Sequence, residues 1–595
     1  MKRFPAALLL AILISCCTAA IDAQSSDLSA RRSRFRAAIE AEWQWELRTH
    51  PEFATYVGDA RYNDRLDDRS PKAIAREARE NKRQLALFTA IDAAGFSQEE
   101  LLNKQLMIRR LQNALDHERA KDWEMPVNQM NGVHLDYAAL PLQVPFNTVK
   151  DYENYIARLH AIPKAFAQTM DDMRLGLRDH LMPPRYLLES VGQQAQGIAD
   201  DAPDKSPYAK PSTRFPESIA KEEQQRLRRE ILDAIQKHVN PAYLAFAKFV
   251  KQDYAPHGRT EFGIWSLPDG PSRYRAAVKE ETTTNLTPDQ IHEMGLRQVA
   301  EIEAEMLKLA NSLGYHDLKT FNEHIRADRT QYGSSGQQVF DLYKHYAEQM
   351  QKKLPEYFGK QPPTQLEVVA MDAFRAPDAV PADYSPGTPD ETRPGRINVN
   401  EYAPEKRLLP NVEAIAYHEG IPGHHLQFSI AQSLPDVPRF RQNGTYDAYS
   451  EGWAFYAERL GREMGFYQDP YSEYGRLENE MWRSVRLVLD TGVHAKHWSR
   501  QQMIDFFTEH TAMDAQNIAT ETDRYIAWPA QALSYKLGQM SIINLREEAR
   551  RQLGDRFDIR KFHDAVLEEG PLPLDVLEEH VHAWLAGQRA VATIP

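Results

Sequence analysis

From His418 to His425 the chain reads His-Glu-Gly-Ile-Pro-Gly-His-His, three imidazoles and a carboxylate in eight residues. Imidazole and carboxylate are the donors zinc takes in hydrolases, and a glutamate directly after a ligand histidine stands beside the metal water without ligating it. Glu419 holds that position and is the candidate general base. In the regular spacing the two histidines stand at i and i+4, with Cβ atoms about 5–6 Å apart on one helical face. Zinc–nitrogen bonds of about 2.0–2.1 Å then bring the ring nitrogens to roughly 3.4 Å. The spacing here is longer. At about 100° and 1.5 Å per residue, His424 falls ~120° off the face of His418, and His425 returns to that face roughly 10 Å further on. Pro422 cannot donate to the carbonyl of His418, and Gly420 and Gly423 tolerate backbone conformations closed to other residues. The segment Gly420 to Gly423 therefore reads as a bulge that returns one of the later histidines to the place of the fifth residue. A second carboxylate source, Ser450-Glu-Gly-Trp-Ala-Phe-Tyr-Ala-Glu458, begins 32 residues after His418.

These segments resemble the bacterial family known as domain of unknown function 885, with its His-Glu-Gly-x-Pro-Gly-His-His and Glu-Gly-Trp-Ala hallmarks. The resemblance extends to Asp490-Thr-Gly-Val-His494 and Asp523-Arg-Tyr-Ile-Ala-Trp-Pro529. The second stretch is also similar to the Asn-Glu-Gly-Phe-Ala-Ser-Tyr helix of the gluzincin aminopeptidases, which implies Glu451 as third metal ligand. Gly423-His424-His425-Leu426 is similar to the Gly-His-Ala-Leu of related peptidases, which favours His424 over His425 as the second. One zinc ion on His418, His424 and Glu451 would keep a fourth position open for water, the mark of a catalytic rather than structural site.

The chain around these motifs carries a net charge of −13 and no basic cluster, which argues against nucleic acid and anionic membrane surfaces as partners. A peptide or other small soluble substrate is expected. Lys2 and Arg3 followed by the apolar run Ala6–Ile14 predict an export signal over about residues 1–20. Leu13-Ile-Ser-Cys16 also fits a lipoprotein cleavage box, which would make Cys16 a lipid anchor; ordinary cleavage near Ala19–Ala23 is the alternative. Either way the protein is exported, to the periplasm, the outer membrane or the medium. Cys16 and Cys17 are the only cysteines, so the mature fold has neither disulfide nor thiolate metal site.

The expected fold is mainly α, a large helical zincin-like (gluzincin) architecture with a small sheet before the metal helix and a deep substrate channel. Thr287-Pro-Asp-Gln290 and Ser499-Arg-Gln-Gln502 are capping boxes ahead of helical periodicity. Leu366–Met371 and Ile397–Asn400 read as strands, placing a sheet within about 260–400, with Asn400 at a candidate substrate edge. An N-terminal helical half over about 25–200 would wall the channel, and 221–595 would form the catalytic half, its metal helices within about 410–545.

Two further clusters offer chemistry. Arg486, Asp490 and His494 recur at i, i+4, i+8 in an otherwise apolar stretch, a stripe that must face water or a site. Asp490 is the candidate to orient a ligand histidine and His494 a substrate or oxyanion contact. By analogy with helical peptidases that act on chain ends, Tyr535 or Tyr525 would donate to the oxyanion and Arg524 or Lys536 would anchor a peptide carboxylate. Pro529 should open the helix bearing Tyr535 and Lys536 in its second turn. The function these residues favour is zinc-dependent peptide hydrolysis. A zinc amidase or esterase and an inactive peptide-binding envelope protein are the alternatives.

Overall fold

In the computed structural model, residues 6–371, 376, 379–388 and 393–591 are described. Side chains before residue 27 and after 589 lie outside the description, and with them the lipidation reading at Cys16. The chain is mainly helical with one small sheet. Both capping boxes form: Thr287 caps Pro288–Ser312 and Ser499 caps Arg500–His510, each with the reciprocal backbone and side-chain hydrogen bonds. Among the described residues no helix is long and apolar enough to cross a membrane.

Two compact units emerge, each assembled from several chain segments. The first comprises 1–126, 143–173 and 215–234, the second 127–142, 174–214 and 235–595. Within the first, the helices Ala6–Thr49, Pro71–Ala90 and Gln98–Ala120 contribute Phe35, Phe88, Leu106 and Leu111 to a buried core. The second unit contains every metal-ligand candidate.

The sheet lies in the second unit and is confined to β1 (Leu366–Ala370), β2 (Ala382–Ser385) and β3 (Gly395–Val399), a narrower span than the sequence predicts, because 260–357 is largely helical. The order is β1-β3-β2, with β1 parallel and β2 antiparallel to β3. The strand leading to Asn400 is therefore central, which corrects its assignment as a substrate edge. Asn400 is fully buried, and its Nδ2 donates to the carbonyls of Ala376, Ala379 and Val380 at 2.8–3.2 Å, holding the preceding loop. Ile397 and Val399 pack on Val412, Ile415 and Ala416 of the following helix, which fixes that helix against the sheet.

Six helices carry the site: α1 (Val412–Glu419), α2 (His424–Ser433), α3 (Asp447–Glu463), α4 (Pro470–Ala495), α5 (Ala515–Ala527) and α6 (Ser534–Leu553). The helix after Pro529 starts at Ser534, so Tyr535 and Lys536 lie in its first turn rather than its second. α3 and α6 cross at Gly452 and Gly538, where a Cβ on Gly538 would sit 1.8 Å from the carbonyl oxygen of Ala448. No side chain fits between backbones so close. Gly538→Ala should lower stability by about 1–3 kcal/mol, the range for an overpacked core, read as a lower denaturation midpoint in urea.

Candidate metal centre

α1 ends at Glu419 because Gly420 (φ −101°, ψ −118°) and Gly423 (φ −76°, ψ −126°) leave the helical region. In place of an internal bulge the chain makes a full break and starts a new helix at His424. The Gly423 N–H turns back to the carbonyl of Tyr417 and the His425 N–H to that of Gly420, both at 3.0 Å. A Cβ at Gly423 would lie 2.0 Å from the His418 carbonyl oxygen and 2.4 Å from that of Tyr417. The Ile421–Pro422 peptide is cis, and the Pro422 carbonyl accepts the Trp453 indole N–H from α3 at 2.8 Å.

This break sends the two adjacent histidines to different tasks. His418 Nε2 and His424 Nε2 approach Glu451 Oε2 at 3.3 and 3.5 Å, with their rings perpendicular at 89°. All three donor atoms lie within 4.8 Å of one another, a candidate metal-binding group. The two nitrogen–oxygen distances lie near the roughly 3.4 Å expected between ligands of one tetrahedral zinc. Glu451 Oε2 is buried without a hydrogen-bond partner, as is His424 Nδ1. A buried carboxylate oxygen that faces two imidazole nitrogens suits an ion held between them. His425 faces the sheet instead. Its Nδ1 meets the Tyr384 hydroxyl at 3.0 Å and its Nε2 the carbonyl of Thr364 at 3.1 Å. Burial lowers its pKa to about 4 despite the Thr364 bond, so it stays neutral.

Glu458 orients His418. Its Oε1 lies 2.8 Å from His418 Nδ1, which as donor leaves Nε2 a lone pair that could meet a metal ion. Arg483 Nη2 stands 3.6 Å from the same oxygen. Burial opposes protonation of His418, but the Glu451 and Glu458 carboxylates outweigh it and hold its pKa up at about 9. Glu458 takes the role expected of Asp490. Asp490 instead accepts the Tyr274 hydroxyl at 2.6 Å and the Ala530 N–H at 3.0 Å, and burial pushes it up to about 7. The clue in the sequence is the seven-residue step from Glu451, two turns along one face of α3.

Glu419 is half-buried among the same groups. Burial raises its pKa, the His418 and His424 imidazoles oppose this, and Glu451 and Asp383 add to it. The Tyr535 ring lies nearly parallel to that of His418, at 17° and 6.5 Å between centroids. Its hydroxyl accepts from Arg524 Nη2 at 3.1 Å, and Arg486 covers its face at 4.4 Å. Arg524 also donates to Gln531 at 2.8 Å, whose amide donates to Asp447 at 3.2 Å. Asp447, one turn before Glu451 on α3, is a group the sequence reading missed.

Three expected site residues are committed to the core. The Tyr525 hydroxyl donates to Glu521 at 2.8 Å and accepts from Trp482 and Arg486, both at 3.0 Å. Lys536 is buried with its ammonium on Glu480 at 3.0 Å and Gln539 at 2.9 Å. His494 accepts the Ile264 N–H at Nδ1 (3.0 Å) and donates from Nε2 to the carbonyl of Tyr525 (2.9 Å). It ties two backbone segments together. Each of these side chains has its polar atoms engaged by protein, leaving none to meet a substrate.

Zinc affinity, measured by competition with a chromophoric chelator, should fall about 10–100-fold in Glu458→Gln, the usual effect of losing a carboxylate that orients a ligand. His424→Ala should lose tight binding altogether, whereas His425→Gln should keep it. Burial drives the His494 pKa down to about 3, below its ordinary 6.5, so the unfolded chain takes up that proton first. The stability His494 contributes is thus complete above about pH 6.5 and is lost as pH falls towards 3. Asp490 acts in the opposite sense, so the single-site comparison is the clean one: melting temperature should drop less between pH 7 and 5 in His494→Gln than in the parent.

No match was found among curated proteins. Among solved structures, a candidate lipoprotein from Colwellia psychrerythraea is 27% identical, covering 94% of this chain and 100% of its own, with a TM-score of 0.88. A candidate lipoprotein of unknown function from Shewanella oneidensis shares the fold at 19% identity, with a TM-score of 0.71 over 92% of this chain and 99% of its own. An M32 carboxypeptidase from Deinococcus radiodurans overlays 86% of this chain and 99% of its own at 11% identity and a TM-score of 0.30, too distant a likeness to bear on activity. The model of the family described as bacterial protein of unknown function (DUF885) matches residues 51–581, and the chain belongs to that family.

Proposed function

We propose that this protein is an exported zinc peptidase in which His418, His424 and Glu451 hold the metal and Glu419 is the general base. The observation that carries this reading is the convergence of two imidazoles and one carboxylate beside a second, half-buried carboxylate, Glu419, that takes no part in the ligand group. Zinc bound there would polarise the scissile carbonyl and bring the pKa of a water towards neutrality.

The remaining work falls to the protein. Glu419 accepts a proton from the attacking water and returns it to the leaving amine. Its raised pKa suits both directions of transfer. The Tyr535 hydroxyl, bonded to Arg524 and stacked near His418, donates to the oxyanion that develops as the carbonyl is attacked. Arg524, whose guanidinium bonds Gln531 and Tyr535 and stands 3.5 Å from Glu521, is the candidate anchor for a carboxylate at a peptide end. Export is supported by the N-terminal apolar run and by the description of the Colwellia psychrerythraea relative as a candidate lipoprotein.

Glu419→Gln should keep about one zinc per chain, by elemental analysis, while peptide turnover falls about 10²–10⁴-fold, the contribution of a general base. Full turnover in that variant would remove Glu419 from the mechanism. Tyr535→Phe should lower kcat about 10²-fold or more with little change in KM, and Arg524→Ala should raise KM for peptides with a free carboxyl end. Mass spectrometry of a mixed peptide pool incubated with the zinc-loaded protein reads both reaction and trimmed end. Ester cleavage without peptide cleavage would make it an esterase, and tight peptide capture without turnover a binding protein.

A further inference from the structure

Asp447 stands beside the ligand group, and the chemistry above leaves it unused. It opens α3 four residues before Glu451, so the two carboxylates project from one helical face with Cβ atoms about 5–6 Å apart. A chain of contacts ties it to the other side of the centre. The Gln531 amide donates to Asp447 Oδ2 at 3.2 Å and accepts from Arg524 at 2.8 Å; Arg524 donates to the Tyr535 hydroxyl, and the Tyr535 ring is stacked beside that of His418. The electrostatics agree with that placement. Burial and then Glu451 raise the pKa of Asp447, while Gln531, Arg524 and His424 lower it.

The second oxygen of Asp447 is free. The side chain is half-buried, and Oδ1 is open to solvent with no hydrogen-bond donor or cation from the protein upon it. Holding Gln531 needs Oδ2 alone. Metal binding does not account for Oδ1, because among the described residues only His418, His424 and Glu451 bring donors close enough to hold an ion. An anionic oxygen open to solvent one helical turn from the metal group suits a cation carried by the substrate. In a peptide, a single carbon separates the α-amine of the first residue from its carbonyl. With that carbonyl at the metal group, the ammonium comes within reach of a carboxylate one turn away. A lysine ammonium, four methylenes from its own backbone, would extend past it.

We propose that Asp447 receives the free α-ammonium of a peptide's first residue, so that the protein trims peptides from the amino end. This rests on the peptidase reading above and names its substrate class. Gln531 holds the carboxylate in place, and a peptide with a blocked or internal amine would leave Oδ1 partly desolvated without a partner, which disfavours it.

The zinc-loaded full-length protein, incubated with a mixed peptide pool and with the same pool acetylated at its amino ends, tests this, with products read by mass spectrometry. The free pool should lose residues from the amino end, and the acetylated pool should be cleaved at least about 10-fold more slowly, the scale of a lost charged hydrogen bond. That comparison needs no variant. The fastest-cleaved peptide, synthesised with free and acetylated amino ends, then serves for Asp447→Asn, which keeps an acceptor for Gln531. Its kcat/KM for the free peptide should fall at least about 10-fold towards that of the blocked one, with zinc content and melting temperature as in the parent. Cleavage of neither pool would overturn the peptidase reading and this proposal with it. Equal cleavage of both pools, or trimming from the carboxyl end, would overturn the proposal alone. So would a folded, zinc-loaded Asp447→Asn that keeps the preference for the free amine or slows equally on both peptides. Asp447-dependent cleavage after an α-acetylated lysine would assign the carboxylate to a side-chain cation instead, and would also overturn it.

Discussion

The metal group depends on one steric fact: the space beside Gly423 is occupied by the carbonyl oxygens of Tyr417 and His418, 2.4 and 2.0 Å from where a Cβ would be. Only a glycine lets the chain fold back on the end of α1 so closely. The fold-back turns the axis between His418 and His424, so that donors six residues apart meet where a continuous helix would hold them ~120° apart. It also separates neighbours in sequence. His424 is aimed at Glu451, while His425, one residue on, is bonded to Tyr384 and Thr364 of the sheet layer. The electrostatics follow the same division. Carboxylates hold His418 at about 9, and burial without a charged partner leaves His425 at about 4.

α4 presents the opposite problem, a helix buried almost all the way round that is nonetheless rich in ionisable groups. Arg476, Glu478, Glu480, Arg483, Arg486, Asp490 and His494 are all under 9% exposed. Each buried charge needs a partner, since an unpaired one costs several kcal/mol. The partners come from different helices: Arg486 pairs with Glu521 of α5 at 3.0 Å, Glu480 with Lys536 of α6 at 3.0 Å, and Arg483 approaches Glu458 of α3 at 3.6 Å. α4 thus fixes the rotation of its neighbours by specific pairings where apolar contacts alone would permit slippage.

That arrangement explains which parts of the site were legible in the sequence. Local codes were: the His-Glu pair, the Gly-Pro-Gly break, two capping boxes and two of three strands are written in contiguous residues. The Arg486–Asp490–His494 stripe was visible too, but a polar periodicity says only that a face avoids apolar neighbours. It does not distinguish water from the buried ends of Tyr274, Glu521 and the Tyr525 carbonyl, which arrive from far along the chain. Tyr535 and Lys536 could not both reach the site, because consecutive helical residues point about 100° apart; the tyrosine faces His418 and the lysine faces Glu480. β2 escaped notice because Ala-Asp-Tyr-Ser is short and has no β-branched residue.

The rigid part of the centre and its adjustable part can also be separated. Asp447, Glu451 and Glu458 all belong to α3, whose crossing with α6 at Gly452 and Gly538 leaves no room for either helix to slide. Tyr535, on the first turn of α6, is carried by that same crossing. A candidate ligand, the carboxylate bonded to another candidate ligand, and the phenol beside them are thereby placed by one helix pair, and geometry built on packed helices holds more closely than geometry built on loops. His424 lies across the Gly420–Gly423 break, tied back through the Trp453 bond to Pro422 and through the sheet contacts of its neighbour His425. Any change in bite between the donors must therefore arise at the break, while α3 and α6 keep Glu451 and Tyr535 in fixed relation.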